Sequence, residues 1–471
     1  MEQLTTIKRR HNFAYLFWIS FISLFLELAL IRWIGTEVRI FAFFKNIVLI
    51  SCFVGLGIGF SLKRFRAGLL GPIILITVIA ALIHPSVQVS GISIGKIPEF
   101  LTVFPEFNMW ISHKWLLENE NMGMLVVGII ASFAMITLLV IAFAWIFIPF
   151  GQILGDIFTE SDNRIRDYSI NLAGSLLGIW AFAFLSYLAT PPWIWFLIGV
   201  GGTIPLIGTR GEKIAGTVIL IVLMLLTIER GEAMTRSNWT PYQMVKIHKQ
   251  NFSLSNVNIP YLILNVNHSF YMFILNLSYS MADKYPGIFN RQDAPYYSYD
   301  LPYRFKPHPT RVLVVGAGGG NDVAAALRNN AGYIDAVEID PGIARIGVLY
   351  HPEKPYSDPR VNLVIDDARS FFKKTNNKYD MIVFGLLDSH TLTSNFTNTN
   401  LDSYVYTKES LTEAKSHLND GGIISISFCT VREWLGYKIY LILKDVFNQS
   451  PMVRSCPTLW GKFGFFPLGT C

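Results

Sequence analysis

Apolar side chains dominate the first half of the chain, and the pattern changes to ordinary mixed sequence near Leu226. A membrane-spanning helix needs about 20 mostly apolar residues. The pattern therefore predicts an α-helical membrane domain with about seven spans, of which the last two are short. The seven candidates lie at roughly 13–33, 43–62, 67–84, 124–149, 169–190, 193–209 and 214–228.

The second half of the chain carries two patterns of shorter elements. "YQMVKIHKQ" and "YLILNVNHSFYMFILN" alternate between apolar and polar residues, which predicts a small β-rich subdomain. From Arg311 onward, apolar strands alternate with helical segments, which predicts a parallel sheet with helices on both faces. We interpret the tail "GKFGFFPLGTC" as a loop. The predicted domains are 1–230, 231–300 and 301–471.

Two features of the apolar half are open to a functional or a structural interpretation. Glu27 and Arg32 lie within or near the end of the first span, and a carboxylate inside a membrane suggests a functional site. We favour a bond from Glu27 to Arg32 or to the backbone that fixes helix packing. Gly174 and Gly178 are four residues apart, which favours close helix packing.

Composition and charge exclude several classes of function. Of the 471 residues, 52% are hydrophobic and 15% are charged, whereas soluble chains carry about 25% charged residues. The net charge of +6 is spread along the chain, so no nucleic-acid partner is expected. The four cysteines form no CxxC pair and no metal spacing, so no metal site is expected.

The stretch "RVLVVGAGGGNDVAAAL" predicts a strand, a glycine turn and a helix. A dinucleotide fingerprint has glycine at the first, third and sixth positions of the turn. Here the glycines are Gly316, Gly318 and Gly320, the first, third and fifth, a spacing typical of proteins that bind S-adenosylmethionine. Glycine at these positions lets the backbone come close to such a ligand.

Two acids follow the next two predicted strands. Glu338 ends the second strand, where a carboxylate can accept both ribose hydroxyls of a nucleoside. Asp367 follows the third strand, where it can accept a bond from an adenine amino group beside the backbone of Ala368. Each acid alone is consistent with a solvated strand end. The three features in this order predict a nucleoside site.

These motifs resemble the spermidine synthases, the polyamine aminopropyltransferases, over roughly 240–428. The resemblance rests on "TPYQMVKI", "VLVVGAGGGND", "AVEIDP", "YSDPRVNLVIDDARSFF", "KYDMIVFGLLDS" and "SYVYTKESLTEAKSHLNDGGIISI". The chain looks like the membrane-bound branch of that family. The fold class that follows is a multispanning α-helical membrane domain, then a small β-subdomain and an α/β Rossmann-like (class I methyltransferase-type) domain.

The resemblance also implies a cofactor and roles for residues. The family uses decarboxylated S-adenosylmethionine and no metal. By resemblance, Gln243 touches this cofactor, Glu338 binds its ribose and Asp367 its adenine. Gly316, Gly318, Gly320 and Ala368 belong to the same implied site.

The chain departs from the family at three acid–base positions. The family turn carries an aspartate where this chain has Gly319, and its catalytic base corresponds to Gly385. Its tyrosine–histidine pair corresponds to Tyr299–Asp300. Asp388 is our first choice for a catalytic residue, and capping of its own loop is the structural alternative. The other candidates are His390, Asp300 and Tyr404.

Three functions remain open from the sequence. The first is a membrane-tethered aminopropyltransferase that acts on a polyamine or a lipid-associated amine, in which case restoring aspartate at Gly385 should raise activity. The second is a methyltransferase that uses intact S-adenosylmethionine. The third is a non-catalytic membrane protein that senses a nucleoside. We favour the first.

The hypothesis of a membrane-tethered aminopropyltransferase also predicts the location of the protein and its partners. The protein is expected to be integral to the cell (inner) membrane, in contact with the lipid bilayer, and its C-terminal domain is expected to be cytoplasmic because the cofactor is cytosolic. Seven spans with basic residues at the N-terminus would place that domain outside, so span number and orientation stay open. A homodimer is left open.

Overall fold

The computed structural model describes residues 13–62, 66–89, 92–103, 122–228, 237–254, 257–286, 298–387, 404–430, 433–458 and 461–469. The chain divides into two compact units, Met1–Met244 and Val245–Cys471, called here the first and the second unit. The three-domain division with boundaries at 230 and 300 stays a prediction.

The first unit is helical, and a helix lies in each of the seven segments that the apolar pattern selects. Three described helices, Phe13–Glu37, Gly123–Thr159 and Arg164–Tyr187, are long and apolar enough to cross a membrane. The number of spans therefore stays a prediction. The helices are α1 (Phe13–Glu37), α2 (Arg39–Phe43), α3 (Lys45–Ser61), α4 (Leu70–Ile83), α5 (Met122–Thr159), α6 (Arg164–Tyr187), α7 (Pro192–Gly199) and α8 (Arg210–Thr227).

Glycines let pairs of these helices cross at close range. A side chain at Gly174 or Gly178 of α6 would come within 2.4 Å of the backbone oxygen of Phe17 or Phe21 in α1. The predicted close packing at this pair is confirmed, and it follows the small-residue pattern of membrane helices. The same arrangement occurs where α3 crosses α5, at Gly55, Gly59, Gly151 and Gly155.

The predicted bonding of Glu27 is wrong. Its side chain is 1% exposed, and neither carboxylate oxygen has a hydrogen-bond partner among the described residues. Arg32 instead donates to the backbone oxygen of Thr240 and lies over the rings of Trp195 and Trp239. Glu27 and Arg32 lie on the same helix, but the guanidinium of Arg32 contacts the two aromatic rings and the carbonyl of Thr240.

The second unit begins with a small antiparallel sheet. Its three long strands are β1 (Met244–Leu254), β2 (Val257–Val266) and β3 (Ser269–Ile274), and each pairs with the next. The two-residue strand Asn238–Trp239 lies next to β1 as the fourth strand of this sheet. Asn267 and His268 join β2 to β3 with φ values of 48° and 60°, the positive angles that a tight hairpin turn requires. The predicted short strands are confirmed.

The larger sheet has seven strands in the order β9-β10-β8-β7-β4-β5-β6. Strands β4 to β8 are parallel, and the order reverses between β4 and β7. The predicted parallel sheet is confirmed. Its strands are β4 (Arg311–Val315), β5 (Tyr333–Glu338), β6 (Val361–Ile365), β7 (Tyr379–Phe384), β8 (Leu418–Thr430), β9 (Arg454–Thr458) and β10 (Gly461–Gly469).

Alternate residues of the central strand enter two separate cores. Leu313 and Val315 of β4 pack into one apolar cluster, whereas Val312 and Val314 pack into the other. Successive side chains of a strand point to opposite faces, so both faces of the sheet are covered. The helices of this unit are α9 (Tyr279–Lys284), α10 (Asn321–Arg328), α11 (Pro341–Tyr350), α12 (Ala368–Lys374), α13 (Lys408–Ser416) and α14 (Glu433–Phe447).

The prediction of a loop at the C-terminus is wrong. Residues Gly461–Gly469 form β10, which pairs antiparallel with β8. Its glycines and proline obscure the strand pattern in the sequence. Pro467 lies beyond Gly461–Phe465, the part of β10 that pairs with β9, so among the described pairings it interrupts no bond between these two strands.

Because Glu27 has no hydrogen-bond partner among the residues that the structure describes, replacing it is expected to stabilise the first unit. Glu27→Met keeps the size of the side chain and removes a buried polar group, which should gain about 1–3 kcal/mol. The midpoint of thermal unfolding, followed by far-ultraviolet circular dichroism of the full chain in detergent, should rise by a few degrees.

Ser20, on the same helix, is the matched control. Its hydroxyl donates to the backbone oxygen of Leu16 and to Oδ1 of Asn171, both at 2.7 Å. Ser20→Ala should therefore lower the midpoint. If Glu27→Met lowered it as well, Glu27 would have a partner that stabilises its buried carboxyl group.

Candidate functional site

The glycine turn lies at the carboxyl ends of the central strands, where the strand order reverses between β4 and β7. Ligands of parallel sheets bind at this position. Gly316, Gly318 and Gly320 have φ values of 70°, 54° and 106°. Positive φ angles favour glycine, so the three predicted glycines suit the backbone of the turn.

Two side chains and one backbone carbonyl hold this turn in shape. The N–H of Gly318 donates to Oε2 of Glu338 at 2.8 Å. The hydroxyl of Tyr356 donates to the carbonyl oxygens of Ala317 and Gly318, at 3.1 and 2.7 Å. The N–H of Gly316 donates to the carbonyl of Val337, at the end of β5, at 2.9 Å. The turn is therefore preorganised by the protein itself.

Strand β3 of the small sheet fills one flank of the turn. The N–H of Gly319 donates to the sulfur of Met272 at 3.4 Å, and a Cβ atom at Gly319 would lie 2.9 Å from Cγ1 of Ile274. Asn321 donates to the carbonyl of Phe273 at 2.7 Å and fixes this contact. An aspartate at position 319 would have no room, so glycine there is a packing requirement.

Glu338, the predicted ribose ligand, lies directly beside the glycine turn. It ends β5, is 6% exposed, and accepts from the N–H of Gly318 at 2.8 Å and from the N–H of Asp340 at 2.9 Å. Burial raises its pKa to about 7, although the two backbone bonds oppose that shift. Each oxygen accepts one of these bonds and keeps a second lone pair for a ligand.

Asp367 lies at the end of the neighbouring strand. It is half-buried, and its Oδ1 accepts from the N–H of Ser370 at 2.9 Å, which makes it the N-cap of α12. Ala368 is the first residue of that helix. The N–H of Asp366 donates to the carbonyl of Glu338 at 3.2 Å, which joins the two strand ends. The adenine contact of Asp367 and Ala368 stays a prediction.

Gly385 follows β7 and faces the glycine turn at very short range. A Cβ atom at Gly385 would lie 2.8 Å from the backbone oxygen of Gly316 and 3.2 Å from Oδ2 of Asp322. Asp322 belongs to the first turn of α10 and is half-buried. Burial and the charge of Asp300 raise its pKa to about 7, and Arg328 opposes the shift. A carboxyl group is therefore present beside Gly385.

The other candidate bases are Asp300, Tyr404, Asp388 and His390. Asp300 is bonded to Arg328 at 2.8 Å, and Arg328 is bonded to Glu353 at 2.7 Å, so Asp300 belongs to a structural network. Tyr404 is 50% exposed. Asp388 and His390 lie outside the described residues.

Gln243 lies in the first unit and the other predicted site residues in the second, so its contact with a ligand stays a prediction. Among the described residues, no group of three or more metal-ligating side chains is present.

Sequence reasoning missed three residues of the site. Asp322, Asn321 and Tyr356 line or support the turn, and none was singled out. The first two directly follow the turn, so their place in the motif was a signal. Tyr356 lies between α11 and β6, in a stretch quoted for the resemblance, and nothing in the pattern indicates that its hydroxyl reaches the turn.

The comparison with known protein families agrees with this geometry. Residues 299–459 match the family model of the spermine/spermidine synthase domain. This part of the chain is a spermine/spermidine synthase domain. The match contains the glycine turn, Glu338, Asp367, Gly385 and Asp322.

Similar proteins point to the same family. The chain is 28% identical to a polyamine aminopropyltransferase of Korarchaeum cryptofilum, over 31% of this chain and 45% of that protein. It is 33% identical to a polyamine aminopropyltransferase of Vibrio vulnificus, over 26% of this chain and 38% of that protein. The matches thus span less than half the length of these relatives. A spermidine synthase structure from Thermotoga maritima aligns at 14% identity with a TM-score of 0.35, over 52% of this chain and 72% of that chain.

The pKa of Glu338 predicts pH-dependent nucleoside binding. Because its pKa is raised to about 7, the free carboxyl group is mostly protonated below pH 7 and ionised above it. Only the ionised form accepts from both ribose hydroxyls. Adenosine should therefore bind the full chain about tenfold more weakly at pH 6 than at pH 8, measured by calorimetry. Glu338→Gln should bind weakly at both values, and an unchanged pH profile in this variant would exclude Glu338 as the ribose ligand.

The space around Gly385 predicts the failure of a simple substitution. In Gly385→Asp, the new Cβ atom would press on the backbone of Gly316 and place a second carboxylate beside Asp322. Adenosine affinity should fall about tenfold or more, and aminopropyl transfer should not rise. Gly385→Ala separates the steric effect from the charge. A gain of activity in Gly385→Asp at unchanged thermal stability would contradict this account.

Proposed function

We propose that this protein is a membrane-tethered aminopropyltransferase that moves an aminopropyl group from decarboxylated S-adenosylmethionine to an amine. The observation that carries the choice of donor is the charge of the site. Glu338 and Asp322 are carboxyl groups beside the turn, and Arg328, whose charge reaches Asp322, is bonded to Asp300 and Glu353. Such a site favours a cationic tail and disfavours the carboxylate of intact S-adenosylmethionine.

The residues present fit this donor substrate. Glu338 is held by two backbone N–H groups and can accept the ribose hydroxyls. Asp367 and Ala368, at the next strand end, can meet the adenine. When bound, the donor supplies a carbon activated by the positively charged sulfur next to it. The protein has to orient the amine in line with that carbon and accept its proton.

The proposed acceptor is an amine, and the membrane location of the protein bears on whether that amine is soluble or carried by a lipid. The seven apolar helical segments support an integral membrane protein, with the transferase domain proposed to face the cytoplasm, where the donor is made. A tethered domain can act on a soluble polyamine or on an amine carried by a lipid. The polyamine aminopropyltransferases among its relatives support the first of these.

Methyl transfer from intact S-adenosylmethionine is the second candidate. It is supported by Gly319, which leaves the turn without the carboxylate that the spermidine synthases use to hold the amino group of the donor. The same nucleoside site would serve both donors. Relative affinity for the two therefore separates the functions.

The deciding experiment compares the two donors on the full chain in detergent. Decarboxylated S-adenosylmethionine should bind about tenfold or more tightly than S-adenosylmethionine, because its tail carries no carboxylate. Incubation with putrescine, spermidine and phosphatidylethanolamine, followed by mass spectrometry, should show an added aminopropyl group on one of them. Glu338→Gln is the control that should lose binding of both donors.

Each alternative has its own result. Tighter binding of intact S-adenosylmethionine together with a methylated product would replace this proposal with methyl transfer. Binding of a nucleoside without any transfer product would replace it with a sensing role.

A further inference from the structure

We infer that the carboxylate of Asp322 is the group that accepts the proton of the attacking amine, an inference that rests on the aminopropyl transfer proposed above. Asp322 lies in the first turn of α10, immediately after the glycine turn. Its Oδ2 atom lies 3.2 Å from the point where a Cβ atom of Gly385 would be. The carboxylate therefore stands where β4 and β7 diverge, which is the ligand position of such a sheet.

The backbone explains why the carboxylate comes from α10. A side chain on the residue after β7 would have to pass within 2.8 Å of the carbonyl oxygen of Gly316. The N–H of Gly385 is also bonded to the carbonyl of Val315 at 3.0 Å, which holds the two strand ends together. Because β7 is followed by glycine, no side chain of that residue separates its backbone from Oδ2 of Asp322. Asp322 is the residue that places a carboxylate beside Gly385.

The surroundings of Asp322 suit a proton acceptor. Burial and the negative charge of Asp300 disfavour its ionised form, Arg328 favours it, and the resulting pKa of about 7 leaves it partly ionised near neutral pH. Tyr303, whose pKa the charge of Asp322 helps to raise, is 3% exposed and its hydroxyl has no hydrogen-bond partner among the described residues. The titratable groups coupled to Asp322 by charge are Asp300, Arg328, Tyr299, Tyr303 and Tyr356.

Asp300 is excluded from this role by its bonds. Both of its oxygens accept from Arg328, at 3.2 and 2.8 Å, and Oδ1 also accepts from Asn329 at 2.7 Å. These bonds occupy three of the four lone-pair sites of the Asp300 carboxylate and tie it to two residues at the end of α10, which makes it a structural group. Its negative charge offsets that of Arg328 and so helps to keep the pKa of Asp322 high.

The chemical step balances with Asp322 as the acceptor. The neutral amine nitrogen forms a bond to the carbon beside the sulfonium. The carbon–sulfur bond breaks, both of its electrons go to sulfur, and methylthioadenosine leaves as a neutral thioether. The new ammonium group passes one proton to the carboxylate of Asp322, which later releases it to water. No oxidant, reductant or metal is required.

The test is Asp322→Asn in the full chain, assayed with decarboxylated S-adenosylmethionine and the acceptor found by mass spectrometry. The value of kcat should fall about 100-fold or more, with adenosine affinity unchanged. The pH profile of kcat in the wild type should rise with an apparent pKa near 7, and the variant should lose this dependence. Asp358→Asn, which removes a carboxylate paired with Arg360 elsewhere in the second unit, is the matched control and should keep full activity.

A binding measurement tests the same residue without turnover. The probe is an adenosyl thioether that carries a diamine chain and so occupies the nucleoside and amine positions together. The wild type should bind it about 100-fold more tightly than Asp322→Asn, whereas both should bind adenosine equally.

The outcomes separate the two proposals. Wild-type transfer with equal kcat and equal probe affinity in Asp322→Asn would overturn the role of Asp322 and leave the function intact. A wild type that neither transfers the group nor binds the probe better than adenosine would overturn the proposed function and this role together. A variant that loses only donor affinity, with kcat unchanged, would overturn the proton transfer and make Asp322 a binding group.

Discussion

The second unit depends on one close approach between two pieces of backbone. The carbonyl of Gly316, after β4, faces Gly385, after β7, at a distance that leaves no room for a side chain on Gly385. On the other side of the turn, Leu387 lies against Gly316, where a Cβ atom would be 1.6 Å from the leucine side chain. The approach therefore requires glycine at both strand ends. It also means that Gly385 itself contributes no side chain at the centre of the sheet.

Carboxyl groups enter from two of those flanks, and the protein holds them differently. Glu338 receives two backbone N–H bonds, which fix its position and offset part of the free-energy penalty of burial. The pKa of Asp322 is raised to about 7 by burial and by the charge of Asp300. Arg328, which opposes this shift, is bonded to both Asp300 and Glu353. The first arrangement suits a binding group and the second a group that exchanges a proton. Under the proposed function, both carboxyl groups favour a ligand with a positive charge.

Much of this architecture could be predicted from the sequence because its signals are local. The continuous apolar run of β4, the hairpin after β2 and the positive-φ glycines each depend on neighbouring residues. Asp322 carries no such signal, because an acid in the first turn of a helix is usually a solvated residue that favours the helix dipole. The role of Asp322 depends on its contact with Gly385, which follows β7 and is distant from it in the sequence. β10 was missed for a related reason, since its pairing with β8 overrides a composition of glycine and proline.

The departure at Gly319 shows how a missing functional residue can be a consequence of packing. Met272 and Ile274 of β3 occupy the space that an aspartate side chain would need, and the N–H of Gly319 donates to the sulfur of Met272. Asn321 donates to the carbonyl of Phe273 and accepts, through its Oδ1, from the N–H of Leu275, so hydrogen bonds tie Met272, Phe273 and Leu275 to the turn. An apolar flank replaces a charged one on that side of the turn. Under the proposed function, the positive charge of a bound tail is met from the opposite flank, on which Asp322 lies.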